Sequence, residues 1–414
     1  MAIETSILRF DHLTYRGNSK ETRYGWLRLT PAFSVHLVAD YIRQLPPTAQ
    51  VLDPFCGTGT TALVCAEEGV HCESTDINPF LLWLAQAKCA LYSSNDLERA
   101  QRGADAVVHA LRKRNAKRPW VPALHQIEKW WEPAVLEKLA MARTVIEEQA
   151  EQTGSQATTL LKLAFCRTMI DLAKVSFSHQ SMSFKKSGPT LLMDFGPDET
   201  DSVIAKWEKV TRSILNAART EIAAKPRFIH CDARSLDSKL RHDSFDCVVT
   251  SPPYPNRMSY IRELRPYMYW LGYLSNGKDA GEMDWEAIGG TWGCATSNLT
   301  KWKPSAGIVV PYKKFKSILS RIALTSPLLS QYVHKYFCDM VLHVKALFKV
   351  VKPGGSVHYI VGNSKFYDVV LPVEEIFVSL FEEAGFADAK WAVIRKRTSK
   401  KELFEYDVTA KKPL

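Results

Sequence analysis

The sequence has no Cys-x-x-Cys pair, although nine cysteines occur among its 414 residues. Zinc modules and thiol–disulfide exchange enzymes use such pairs, and no cluster of His, Cys and Asp residues has the spacing of metal ligands either. Several cysteines lie in apolar, strand-like runs, where a free thiol behaves as a small hydrophobic side chain. We therefore expect reduced cysteines in a cytosolic protein that binds no metal.

Long apolar segments are missing as well. No uninterrupted apolar run approaches the ~20 residues of a membrane-spanning helix, and the N-terminus carries no apolar signal segment. We find no internal repeat and no low-complexity tract. These absences predict a globular protein with no membrane partner.

The composition has an excess of positive charge. Hydrophobic residues make up 46% of the chain and charged residues 24%, which is typical of a soluble globular protein. The length predicts either one large core with an insertion or two domains. The formal net charge of +10 favours a polyanionic partner. A basic run at 112–118 is either a phosphate-contacting segment or a solvated face.

The stretch Val51-Leu52-Asp53-Pro54-Phe55-Cys56-Gly57-Thr58-Gly59 predicts a short strand, a glycine turn and a helix that begins near Thr60. Two glycines let the backbone turn tightly and approach a ligand closely. The second strand ends at Asp76, about 20 residues after this turn, a spacing at which a carboxylate can accept hydrogen bonds from ribose hydroxyls. Alternatively, Asp76 caps the helix that begins near Asn78.

The stretch Thr250-Ser251-Pro252-Pro253-Tyr254 follows the apolar run 245–249. The run predicts a buried strand of a parallel sheet, and the two prolines end it in a stiff, extended loop. Such a loop presents carbonyl groups, a hydroxyl and an aromatic ring at the carboxyl edge of the sheet, where ligands of open α/β sheets bind. Residues 251–254 are called the tetrad below.

The remaining chain predicts an α/β fold with a doubly wound, mostly parallel sheet. Strands and helices alternate over residues 1–92 and 227–414, with a third strand that ends at Asp232 and a late strand pair that adds an antiparallel edge. Residues 93–226 have helical periodicity and predict a large helical insertion. Residues 255–330, rich in Gly, Trp and Ser near 275–311, predict an irregular excursion.

Four features together resemble the amino-group DNA methyltransferases that use S-adenosylmethionine, enzymes with a Rossmann-like class I fold. They are Asp53-Pro54-Phe55-Cys56-Gly57-Thr58-Gly59, Asp76, Asp232 and Ser251-Pro252-Pro253-Tyr254. The segments 352–355, 362–364 and 397–403 are similar to that family too. The resemblance covers about residues 30–92 and 228–410, which is most of the chain outside the helical insertion.

The resemblance implies that S-adenosylmethionine is the cofactor. The glycine turn and Phe55 would hold its methionine end, with Asp53 near its amino group. Asp76 would accept hydrogen bonds from the ribose hydroxyls, and Asp232 from the adenine amino group.

The resemblance also implies that the tetrad is catalytic. Ser251 and the carbonyl of Pro252 would accept the two hydrogens of an exocyclic amino group, so that its nitrogen can attack the methyl group directly. Tyr254 would stack on the target base after the base has been flipped out of double-stranded DNA. In this family a first Ser is typical of cytosine-N4 enzymes, whereas Asp or Asn is typical of adenine enzymes. Ser251 therefore predicts methylation of cytosine N4.

Several alternatives stay open. The missing Pro-Cys nucleophile argues against methylation of cytosine carbon 5, but adenine N6 and an RNA amino group are both compatible with the tetrad. A dehydrogenase could use the glycine turn, although it would not explain the tetrad. A degenerate, non-enzymatic DNA-binding protein is the remaining alternative. Both 93–226 and 255–330 are candidates for the DNA-recognition region.

The family also suggests the setting. The expected partner is double-stranded DNA, a cognate restriction endonuclease is compatible with the family, and the cytoplasm of a bacterium, archaeon or phage host is the default location for this chemistry.

Overall fold

The computed structural model describes most of the chain. The described residues are 18, 22–27, 29, 33–113, 119–176, 183–184, 199–291, 294–397 and 402–414. Most of the basic run 112–118 lies outside them, as do residues 398–401 of the C-terminal segment that resembles the methyltransferases.

Parallel strands form the centre of the sheet. The strands of the described residues are β1 (Gln50–Asp53), β2 (His71–Asp76), β3 (Val175–Ser176), β4 (Ser183–Phe184), β5 (Arg227–His230), β6 (Phe245–Thr250), β7 (Val351–Gly362), β8 (Ser364–Phe366), β9 (Val369–Leu371), β10 (Ala387–Lys396) and β11 (Phe404–Lys411). The main sheet has the order β10-β11-β7-β6-β1-β2-β5, in which β11 is antiparallel to both of its neighbours and the other pairs are parallel. Two small antiparallel pairs, β3 with β4 and β8 with β9, lie apart from it.

Helices cover both faces of this sheet. In the described residues they are α1 (Val35–Ile42), α2 (Thr60–Glu68), α3 (Pro79–Lys88), α4 (Ser94–Arg112), α5 (Pro133–Glu148), α6 (Ala150–Thr153), α7 (Ser155–Asp171), α8 (Glu199–Ala218), α9 (Tyr260–Trp270), α10 (Gly277–Glu286), α11 (Cys294–Lys301), α12 (Phe315–Thr325), α13 (Pro327–Val350) and α14 (Val373–Ala384).

The hydrophobic core of the sheet has two parts, one on each face. Val51 and Val249 pack with α1 and α2 on one face, whereas Leu52 and Val248 pack with α13 and α14 on the other. Successive side chains of a strand point to opposite faces, so a strand buried on both faces is apolar throughout. The predicted doubly wound, mostly parallel α/β sheet is confirmed.

The insertion adds its own apolar layer. Helices α4, α5, α7 and α8 share a core with α3 and α9. A buried arginine, Arg23, joins this layer to the sheet domain, since its guanidinium donates to carbonyl groups at the ends of α3 and α8 at 2.6–3.3 Å. Helix C-termini leave carbonyls without helical partners, and a guanidinium satisfies several of them at once.

The expectation of an irregular segment at 255–330 needs correction, because this segment contains α9, α10, α11 and α12. The oxygen of Ser259 accepts a bond from the backbone N–H of Arg262 at the start of α9, and Asn276 caps α10. Such caps stabilise a helix by about 1 kcal/mol each, enough to outweigh a loop-like composition. In the described part of the chain, no helix is both long and apolar enough to span a membrane.

Candidate active site

The predicted site residues converge at the carboxyl edge of the sheet. Strands β6, β1, β2 and β5 are adjacent and parallel, so their C-terminal ends meet at one edge. Asp53 ends β1, Asp76 ends β2, Asp232 follows β5 and Ser251 follows β6. The structure therefore brings together residues that lie up to 198 positions apart in the chain.

The glycine turn is fixed to the neighbouring strand. The backbone N–H of Cys56 donates to the carbonyl of Thr75 at 2.8 Å, and the Thr75 hydroxyl donates to the carbonyl of Pro54 at 3.1 Å. Gly57 and Gly59 have φ values of 51° and 76°. At Gly59 a Cβ would lie 2.6 Å from the Cβ of Ala85, so only glycine allows this packing.

Asp76 holds the turn rather than serving as the helix cap. One carboxylate oxygen accepts a bond from the N–H of Gly57 at 2.9 Å, and the other accepts from the N–H of Asn78 at 2.8 Å. Asn78 is the N-cap of α3, since its side chain accepts a bond from the N–H of Phe80. Burial raises the pKa of Asp76. Its contact with ribose hydroxyls stays a prediction.

Asp53 is fully buried, and only one of its two carboxylate oxygens accepts hydrogen bonds from the described residues. Its Oδ1 accepts hydrogen bonds from the Thr250 hydroxyl at 2.6 Å and from the N–H of Phe55 at 3.1 Å. Its Oδ2 is buried and has no hydrogen-bond partner among the described residues. Burial raises the pKa of Asp53 to about 6. An unpaired buried acceptor costs about 1–3 kcal/mol, so this oxygen suits a positively charged donor such as an ammonium group.

Phe55 and Asp232 line the same edge in different ways. The Phe55 ring contacts His343 edge-on, with 4.7 Å between centroids. Asp232 accepts bonds from Arg234, whose Nη2 lies 2.6 Å from Oδ2. Burial would raise the pKa of Asp232, but its bonds to Arg234 outweigh that and lower it. Arg234 also pairs with Asp339 at 3.2 Å. A ligand that binds Asp232 therefore shares this carboxylate with Arg234.

The tetrad leaves β6 as an ordered loop. The Ser251 hydroxyl donates to the carbonyl of Ile360 on β7 at 3.1 Å. The hydroxyl of Tyr336 on α13 donates to the carbonyl of Pro253 at 2.7 Å. Among the described residues, none donates a hydrogen bond to the carbonyl of Pro252. Hydrogen bonds to β7 and α13 thus hold the loop, and the carbonyl of Pro252 remains able to accept a hydrogen bond.

Tyr254 is held by the C-terminal strands. Its hydroxyl donates to Glu405 on β11 at 3.0 Å, and Arg395 donates to the other oxygen of Glu405 at 2.6 Å. The Arg397 guanidinium lies 5.8 Å from the ring centroid, and a Cβ at Gly362 would lie 2.9 Å from the ring. The strand pair β10–β11 therefore forms part of the site.

The sequence did not indicate all of these partners. Thr250, Arg234, Glu405 and Arg397 contact predicted site residues, and none of the four was named as a site residue, although Arg397 lies in a segment that resembles the family. Glu405 lies between Phe404 and Tyr406 in a run that predicts a strand. An acid at such a position is expected to be buried and therefore to need a partner, so the sequence does mark Glu405 as unusual.

The structure gives no candidate for a metal centre within the described residues. All nine cysteines are free. Burial raises the pKa of Cys56 well above its usual value and that of Cys247 to about 11. A thiol acts as a nucleophile only as the thiolate, so neither cysteine is poised to attack a base.

No protein-family model matches the chain. The type II methyltransferase M.BsoBI of Geobacillus stearothermophilus is 21% identical over 455 residues, which cover 95% of this chain and 84% of the relative. M.AvaI of Anabaena variabilis, also a type II methyltransferase, is 21% identical, with coverage of 92% and 83%.

Among solved structures, a SAM-dependent methyltransferase of Methanosarcina mazei aligns over 91% of this chain and 97% of its own, with 11% identity and a TM-score of 0.32. The similarity to the type II methyltransferases extends over 92–95% of this chain and 83–84% of the two relatives. Over that length, this Rossmann-like α/β protein is similar to type II methyltransferases.

Proposed function

We propose that this chain is an S-adenosylmethionine-dependent DNA methyltransferase that modifies an exocyclic amino group, with cytosine N4 as the target. The observation that carries the proposal is the 2.6 Å hydrogen bond from Thr250 to Asp53. It joins the strand that leads to the glycine turn with the strand that leads to the tetrad, so a cofactor bound at the turn would lie beside a substrate bound at the tetrad. Type II methyltransferases act on DNA, which supports DNA as the substrate.

The residues at the edge fit this cofactor. The buried, unpaired Oδ2 of Asp53 would accept a hydrogen bond from the ammonium group of its methionine portion. The Cβ position of Gly57 has only the Phe55 carbonyl within 4 Å, at 3.7 Å, which leaves room for a ligand beside the turn. Asp76 would bind the ribose hydroxyls and Asp232 the adenine amino group. When bound, S-adenosylmethionine supplies an electrophilic methyl group on its sulfonium.

The tetrad would activate the amino group by accepting its hydrogens. An aromatic amine is a poor nucleophile because its lone pair is delocalised into the ring. The Ser251 hydroxyl donates its own proton to Ile360, so its oxygen lone pairs are available as acceptors. Together with the carbonyl of Pro252, this oxygen would bind both amino hydrogens and let the nitrogen become pyramidal. Catalysis then rests on positioning and electrostatic stabilisation, with no covalent enzyme intermediate.

The substrate base must leave the duplex to reach this loop. A stacked base cannot present its amino group to a site at the edge of a sheet, and base flipping solves this problem. Tyr254 would stack on the flipped base, and its bond to Glu405 would hold the ring in place. Adenine N6 stays the alternative target, because adenine N1, like cytosine N3, is a ring acceptor beside the amino group.

A labelling experiment separates the substrate classes. Purified protein is incubated with methyl-labelled S-adenosylmethionine and either unmethylated duplex DNA or total RNA, with Ser251→Ala as the control. We expect label in DNA that depends on Ser251. Label in RNA alone would favour an RNA amino-methyltransferase. Cofactor binding without transfer to either nucleic acid would indicate a degenerate methyltransferase core.

A further inference from the structure

One exposed segment of the chain carries positive charge and no acidic residue of its own, although Tyr312 within it donates a hydrogen bond to Glu375 of α14. Residues 301–321, called the basic segment below, contain six Lys or Arg residues and no Asp or Glu. All six are exposed: Lys301, Lys303, Lys313, Lys314, Lys316 and Arg321. Within the described part of the chain none of them forms an ion pair, and the nearest pairs in sequence are Lys278–Glu282 and Lys335–Asp339. Charges on an ordinary solvated face are usually mixed in sign.

The basic segment is fixed to the body of the protein. On α12, Phe315, Ile318 and Ile322 are buried and form one apolar face. The Phe315 ring meets Phe337 of α13 edge-on, with 5.5 Å between centroids. The Ser330 hydroxyl donates to the carbonyl of Leu319 at 2.9 Å. The apolar side of the helix is thus packed against α13, and the charged side is left in solvent.

Helix α13 also connects this surface to the tetrad. Trp302 contacts the ring of His334, with 5.4 Å between centroids. Two residues further along the helix, Tyr336 donates its hydroxyl proton to the carbonyl of Pro253 at 2.7 Å. Residues two positions apart in a helix differ by only about 3 Å along its axis. They also differ by about 200° around that axis, so the basic segment and the tetrad loop contact different sides of α13 at the same level along the helix.

A cavity of about 620 Å³ at the opposite edge provides a contrast. Lys239 and Arg241 line it, together with the beginnings of β1 and β6. Other basic residues there are neutralised, for example Arg227 by Glu73 at 3.3 Å. This edge lies away from the tetrad, and its charge is mixed. Lys239 and Arg241 at this edge serve as control residues in the test of the basic segment.

We propose that the basic segment binds the phosphate backbone of the DNA duplex whose base enters the tetrad. This inference rests on the proposed function and adds a named surface to it. Lysine and arginine side chains that neutralise phosphates release condensed counterions, which gives affinity that depends on salt but not on sequence. Such contacts fix the position of the duplex, whereas other residues read its bases.

The test measures binding of a fluorescent, random-sequence duplex of about 30 base pairs at several salt concentrations between about 50 and 200 mM. The variant Lys313→Gln/Lys314→Gln/Lys316→Gln removes three charges. The matched control, Lys225→Gln/Lys239→Gln/Arg241→Gln, removes three exposed charges near the amino edge of the sheet. Lys316→Glu is a further variant, because an acid in the first turn of α12 favours the helix and weakens only phosphate binding.

We expect the first variant to weaken binding at least about 10-fold and to lower the slope of log affinity against log salt by about 0.9 for each lost phosphate contact. The control should change neither quantity, and Lys316→Glu should weaken binding with unchanged thermal stability. Equal effects of the two triple variants, or an unchanged slope in the first, would overturn the proposal. The proposal would also be overturned if structured RNA displaced the labelled duplex more effectively than unlabelled duplex does.

Failure of this inference differs from failure of the proposed function. A wild-type protein that methylates DNA while the first triple variant binds like wild type contradicts only the basic segment. A wild-type protein that binds DNA through this segment but transfers no methyl group contradicts only the proposed function.

Discussion

Tyr254 donates its hydroxyl proton to Glu405 at 3.0 Å, although the two residues lie 151 positions apart in the chain. Glu405 also accepts a bond from Arg395, and it lies on the strand next to β7. A buried carboxylate with two donors has a fixed orientation, and it fixes the donors in turn. The last tetrad residue is therefore positioned by the C-terminal strand pair.

This relationship predicts different results for two substitutions of Tyr254. Tyr254→Phe keeps the ring and loses only the bond to Glu405, so we expect methyl transfer to fall by less than about 10-fold. Tyr254→Ala removes the surface on which the base stacks, and the loss should be at least as large as that caused by Ser251→Ala. Single-turnover kinetics on duplex DNA measure both. Equal rates for the two variants would contradict the stacking role.

Ser251 should affect catalysis but not cofactor binding. Ser251→Ala removes one acceptor for the amino hydrogens, and we expect methyl transfer to fall by about 10- to 1,000-fold. Affinity for S-adenosylmethionine, measured by calorimetry, should change little. A parallel loss of cofactor affinity would mean that Ser251 shapes the cofactor site instead of the substrate site.

Asp76 should affect cofactor binding. Asp76→Ala removes the acceptor that holds Gly57 and the predicted partner of the ribose, so the binding free energy of S-adenosylmethionine should weaken by about 1.5–3 kcal/mol. The control is Asn78→Ala, which removes the helix cap and should lower stability by about 1 kcal/mol with little effect on affinity. If calorimetry gives unchanged affinity for folded Asp76→Ala, the ribose assignment is wrong.

The raised pKa of Asp53 predicts a pH dependence. Burial raises this pKa to about 6, so the contribution of Asp53 to the stability of the free protein is present below the ordinary carboxyl pKa and is lost as pH rises through about 6. An ammonium group prefers the ionised carboxylate, so cofactor affinity should rise by about 10-fold between about pH 5 and pH 7.

Calorimetry of Asp53→Asn provides the control for this pH effect. Asp76 also has a raised pKa, and its ionisation would act in the same direction. Asp53→Asn should bind more weakly at neutral pH and lose most of the rise. An unaltered rise in this variant would assign the effect to Asp76.

The sheet and the edge site could be predicted because local sequence determines them. Apolar runs followed by proline indicated β1 and β6, and the spacing of Asp76 from the glycine turn indicated the acid at the end of β2. The helices of 255–330 could not be predicted, since their starts depend on single caps such as Ser259 and Asn276. The apolar neighbours of Glu405 indicate an acid that needs a partner, but they do not identify Tyr254 as that partner, because the contact depends on the position of β11 next to β7 in the sheet.

The most direct test identifies the modified nucleoside. The chain is expressed in a host without DNA methylation, and the digested DNA is analysed by mass spectrometry beside DNA from a Ser251→Ala strain. We predict N4-methylcytosine that is absent or strongly reduced in the variant. N6-methyladenine as the sole product would overturn the base assignment and leave the amino-group mechanism standing, whereas 5-methylcytosine, or DNA without any added methyl group, would contradict the account.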